Sequence, residues 1–92
     1  MNQHISGQLI SGEFHSDTNE LVIKQIRNIP VESVWNQKQT EEMYQTLNTI
    51  KNSHEDSLIV SVGMLPILLN RQEIEQLHQE LQDIITFVRK NQ

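Results

Sequence analysis

Ser57-Leu58-Ile59-Val60-Ser61-Val62-Gly63-Met64-Leu65-Pro66-Ile67-Leu68-Leu69-Asn70-Arg71-Gln72-Glu73-Ile74 is the stretch that decides the fold of this 92-residue chain. Ser57 to Val62 is rich in β-branched side chains and bounded by polar ones, which predicts a strand. Gly63 and Pro66 punctuate the run, and Pro66-Ile67-Leu68-Leu69 is extended enough for a second short strand. Proline cannot donate to a ladder, so that second strand lies at an edge or begins there. Asn70 then caps free backbone N–H groups, and Glu73, three residues on, can bond back to it as a capping box. Leu69 before the cap and Ile74 in the first turn can close a hydrophobic staple. The order is therefore strand, tight turn, strand, capped helix.

Downstream, Ile74, Leu77, Leu81, Ile84 and Val88 repeat with 3-4-3-4 spacing, and Ile85 and Phe87 widen the stripe. Glu73 and Glu75 sit at the positive end of the helix dipole, Arg89 and Lys90 at the negative end. A helix over about residues 71–90 would be roughly 30 Å long. Two readings of its apolar stripe stand. It packs on the chain's own sheet over Val60 and Val62, or Ile74, Leu77, Leu81, Ile84 and Val88 form a symmetric dimer interface. A helix covering only its own sheet does not need a strict heptad, and the Gln-rich polar face of Gln72, Gln76, Gln79 and Gln82 tolerates contact.

Upstream, Thr40-Glu41-Glu42 opens a second helical pattern with Met43, Leu47 and Ile50 on one face, ending near Asn52-Ser53. Asn36 to Gln39 reads as a linker or as the solvated start of that helix. Gln8 to Phe14 and Leu21 to Ile26 can pair as a hairpin across Ser16-Asp17-Thr18-Asn19. Alternatively Asp17 caps a helix that places Val22, Ile26 and Ile29 on one face. The β-branched content favours the hairpin.

The net charge of −5, from 12 acidic and 7 basic side chains, argues against phosphate tracking, which needs basic residues gathered on one face. Here the basic residues are scattered, and only Arg89–Lys90 are adjacent, so direct nucleic-acid binding is not expected. The absence of cysteine excludes disulfides, thiolate metal sites and thiol catalysis. Met1-Asn2-Gln3-His4 lacks the head of a signal peptide, and the longest apolar run, Met64 to Leu69, contains Pro66 and is too short to span a membrane. A soluble, cytoplasmic chain without membrane contact is the expectation.

Glu75 and His78 have the i, i+3 spacing of half a di-iron motif, but no second Glu-x-x-His pair completes it. His54-Glu55-Asp56 clusters ligand types in a polar loop, while His4 and His15 stand apart from it. No nucleophile elbow and no phosphate-cradling glycine loop is present. Neither metal, cofactor nor enzymatic activity is expected. Trp35 is either a core plug or an exposed anchor for a partner, since interface hot spots favour tryptophan.

The expectation is a single α+β domain over 1–92, with residues 1–7 free to be disordered. Its order is ββαββα: a small antiparallel sheet covered on one face by two helices. The functional expectation is a small acidic protein-binding module, an inhibitor or accessory factor, that occupies a partner's basic surface as a homodimer. Glu41, Glu42, Glu55, Asp56 and Trp35 would form the partner-binding surface. A ligand pocket at a dimer seam, or a subunit role in a larger assembly, are the alternatives.

Overall fold

The computed structural model describes residues 2–90 of the chain. The elements run β1 (Asn2–Ser6), β2 (Ile10–His15), β3 (Glu20–Ile26), β4 (Ile29–Trp35), α1 (Gln37–Lys51), β5 (Ser57–Val62), β6 (Leu65–Asn70) and α2 (Arg71–Lys90). The α+β class and the expected succession of hairpin, helix, hairpin and helix are present. The first hairpin gains a strand on each side, so β1 to β4 form an antiparallel meander in sequence order. Strand β1 lies within the segment read as free to be disordered; Met1 is outside the described residues.

The strand reading of residues 20–26 prevails because β3 has a partner on both sides: Phe14 faces Leu21, and Leu21 faces Trp35. Asn19, at φ +54°, makes the turn into β3 in the left-handed region that Asn tolerates better than most residues. Strands β5 and β6 form a separate two-stranded sheet rather than extending the first one. Their two-residue connection, Gly63-Met64, has φ +58° and +66°, the pattern of a type I′ turn whose twist suits a hairpin. A side chain at 63 would also meet the Glu32 carbonyl at 2.8 Å, where the hairpin tip rests on β4.

Helix α1 begins three residues before the expected Thr40. Asn36 is the N-cap, accepting from the Gln39 N–H at 2.8 Å, while the Gln39 side chain accepts from the Asn36 N–H at 2.9 Å. Helix α2 spans the expected range with its capping box intact: Glu73 N–H donates to Asn70 Oδ1 at 2.9 Å, and Asn70 N–H donates to Glu73 Oε1 at 3.0 Å. One apolar cluster joins both sheets and both helices, with Ile10, Ile23, Leu47, Leu69, Leu77 and Leu81 among its most buried members. Tyr44 of α1 stacks on His78 of α2, with ring centroids 4.7 Å apart.

Candidate functional site

The residues expected to bind a partner do not form one surface. Glu41 and Glu42 lie in the first half of α1, and Glu55 and Asp56 follow its C-terminal end. About ten residues of helix, roughly 15 Å, separate Glu41 and Glu42 from the end of α1, beyond which Glu55 and Asp56 lie. Glu41 is 3.8 Å from Arg89 and Glu42 is 3.8 Å from Lys38, so nearby cations offset the first pair. An open groove of about 760 Å³ runs between α1 and α2 past Glu41, Glu42, Gln45, Gln82 and Arg89, and its lining is largely polar.

Trp35 is a core plug, 7% exposed, with its indole N–H donating to Ser33 Oγ at 3.0 Å. It offers no surface to a partner. The heptad stripe resolves the same way. Ile74, Leu77, Leu81, Ile84 and Val88 are all buried in the chain's own core, which is the first of the two readings of the stripe and leaves these side chains little area for a second copy. The stripe packs against α1 and against the β5–β6 hairpin, and one apolar cluster joins it to the four-stranded sheet as well.

The polar side chains that look chemically capable are committed to holding elements together. Glu80 is buried on α2 and accepts from the Leu9 N–H at 3.0 Å, the Ile10 N–H at 3.0 Å and Gln76 Nε2 at 2.6 Å. It thereby pins the β1–β2 connection to the helix. His78 meets Asn48 Oδ1 at 3.1 Å through Nε2, and its buried Nδ1 has no hydrogen-bond partner among the described residues. Burial, and secondarily the Lys51 charge, push the His78 imidazole below its ordinary value. Arg27 grips Glu73 with bonds of 2.6 and 2.8 Å and also donates to the Leu68 carbonyl. That grip holds the Glu73 carboxyl below the usual carboxylate range. Arg71 donates to the Ile50, Lys51 and Glu55 carbonyls at the end of α1 and to Glu75 at 3.1 Å. Glu75 and His78, the half-motif, thus serve different contacts. Among the described residues, no three His, Cys, Asp or Glu side chains are placed to hold a metal ion.

What remains is the outer face of the β5–β6 hairpin. Ile59 and Leu68 sit directly opposite each other, 66% and 59% exposed. Met64, at the tip, is 98% exposed, and Pro66 lies exposed between it and Leu68. Cross-strand partners on one face stand about 4.5–5.5 Å apart at Cβ, so Ile59 and Leu68 make one apolar patch. Exposed Glu55 and Asp56 lie at its open end, just before β5, and exposed Glu32 lies beside its tip. Sequence reasoning missed this face, although a signal was present. Leu58-Ile59-Val60 and Ile67-Leu68-Leu69 are unbroken apolar triplets, and a strand packed on one side buries only alternate residues.

No family model, no curated protein and no solved structure matches this chain. No described helix is long and apolar enough to cross a membrane.

Proposed function

We propose that this chain is a non-enzymatic protein-interaction module, of the inhibitor or accessory-factor kind, that lays the outer face of β5–β6 against a partner protein. The observation that carries the reading is the apolar ridge of Ile59, Leu68 and Met64, the three most exposed large apolar side chains among the described residues, gathered on one hairpin. Single exposed apolar residues are ordinary, but a contiguous patch with a charged rim marks an interaction site. Met64 adds a second mark, because a bulky side chain in the left-handed region carries strain that persists at functional positions. The acidic rim of Glu55, Asp56 and Glu32 suits a partner whose apolar strip is flanked by basic side chains. A nucleic-acid partner fits less well, since Arg27 and Arg71 are tied into internal bonds.

Site-specific photo-crosslinking in host lysate tests the reading. A crosslinker at Leu68 should capture a discrete protein that a crosslinker at Glu42 does not. Capture at Glu42 and not at Leu68 would move the site to the helix groove and overturn the assignment.

A further inference from the structure

The free edge of β5 is a separate feature from the outer face. Around a two-residue turn the closing pair, here Val62 and Leu65, exchanges both backbone bonds. Counting by twos, Val60–Ile67 and Leu58–Leu69 do the same. Ser57, Ile59 and Ser61 on β5, and Pro66, Leu68 and Asn70 on β6, therefore aim their backbone groups outward. The β6 edge is closed. Pro66 has no N–H, the Leu68 carbonyl accepts from Arg27, and the Asn70 N–H donates to Glu73. The β4 edge carries Pro30 and Glu32, and the β1 edge is short and polar. The β5 edge carries no proline, no charge and no side-chain clamp; its tip end lies near β4, but no hydrogen bond pairs β5 with a strand other than β6 among the described residues. Natural proteins protect such edges or use them.

The composition of β5 points to one occupant. Ser57-Leu58-Ile59-Val60-Ser61 reads serine, apolar, isoleucine, apolar, serine in both directions. From this we infer that a second copy of the chain pairs here, β5 against β5, antiparallel about a two-fold axis at Ile59. In that register Ile59 faces Ile59 of the other copy and Ser57 faces Ser61. These are the outward-aimed residues, so every free donor meets a free acceptor. On the inner face Leu58 meets Val60, and on the outer face the row becomes Leu68–Ile59–Ile59–Leu68. No charge lies within β5, so no like charges meet across the axis. The pairing turns two marginal two-stranded sheets into one of four strands. It does not depend on the partner-binding reading, and it would double that face.

Sedimentation of the full-length chain across a wide concentration range tests the pairing. The wild type should move from 10.8 kDa towards twice that mass. The double substitution Ser57→Lys/Ser61→Lys places like charges opposite each other twice and should weaken the dimer by about tenfold or more. Ser57→Lys/Ser61→Glu places opposite charges at the same positions and should keep the dimer at wild-type strength or better. The two variants alter the same exposed sites, so a folding defect would affect both and show in circular dichroism. Independently of either variant, the Ile59 amide should exchange more slowly with solvent as wild-type concentration rises. A wild type that stays monomeric, equal dissociation constants for all three proteins, or concentration-independent exchange at Ile59 overturns the pairing. None of these results bears on crosslinking through Leu68, so the two proposals fail separately.

Discussion

Met64 stands in the left-handed region at φ +66° with almost all of its side chain in water, although Gly or Asn would occupy that turn position with less strain. Left-handed backbone costs a bulky L-residue about 1–2 kcal/mol. Met64→Gly should therefore raise stability by about 0.5–1 kcal/mol in urea unfolding, after the greater unfolded-chain entropy of glycine is set against it. An equal or lower stability would show that the turn stores no strain. His78 offers a second test at this scale. Its folded-state imidazole is pushed below its ordinary value of 6.5, chiefly by burial, so between that depressed value and 6.5 the unfolded chain binds the extra proton. Stability is then complete above about pH 6.5 and falls as the pH drops towards the folded-state value. Below both values it levels off. Glu73 acts in a lower window: its carboxyl is depressed from 4.5, chiefly by the bond from Arg27, so its contribution is present above that value and is lost as pH falls through its folded value. Urea midpoints at steps between pH 7.5 and 5 should show the His78 decline, and His78→Gln should flatten it. A wild-type midpoint that is level across that range would contradict the account of His78.

At the scale of elements, side-chain clamps matter as much as packing. Glu80 satisfies the Leu9 and Ile10 N–H groups from 70 or more residues away in sequence, and the close approach of its carboxylate leaves room only for glycine at 7. Glu80→Ala would strand those buried donors, at a cost of about 1–3 kcal/mol each, and should loosen the β1–β2 connection first. Amide hydrogen exchange would show it: Leu9 and Ile10 should lose protection before the centre of α2 does. Equal loss throughout would mean that the carboxylate is no local clamp. These clamps explain what was legible in the sequence. Helix α2 was readable because Asn70, Glu73 and the 3-4-3-4 stripe are local signals, and Ser57–Val62 was readable from its β-branched run. The start of α1 was readable too, through Asn36 and Gln39, but sits in a polar stretch that resembles a linker. Strands β1 and β4 were not, because Asn2–Ser6 and Ile29–Trp35 owe their strand state to the neighbours they pair with. How the candidate residues group in space was not legible for a related reason. Acidic residues cluster in the sequence, yet one helix holds Glu41 and Glu42 far from Glu55 and Asp56, whereas Ile59, Met64 and Leu68 gather only once the hairpin forms.

For the molecule as a whole, the apolar residues divide into two populations with different duties. The α2 stripe closes a core shared by both sheets, so its loss should cost stability rather than association. Leu81, fully buried, should lose about 2–5 kcal/mol on Leu81→Ala and leave the sedimentation mass unchanged under conditions where the protein stays folded. A change of mass without loss of stability would return the stripe to an interface. The hairpin ridge should behave in the opposite way, since its side chains already face water and contribute little to folding. The most direct test of its role is the affinity of the chain for the protein captured through Leu68. It should be measured by calorimetry for the wild type, for Met64→Ser/Leu68→Ser and for Glu41→Lys/Glu42→Lys. The account predicts that the hairpin pair weakens binding by at least about tenfold with unfolding unchanged, as expected for truncating central apolar contacts, while the helix pair binds nearly as the wild type does. Undiminished binding by Met64→Ser/Leu68→Ser, with binding lost in Glu41→Lys/Glu42→Lys, would contradict it.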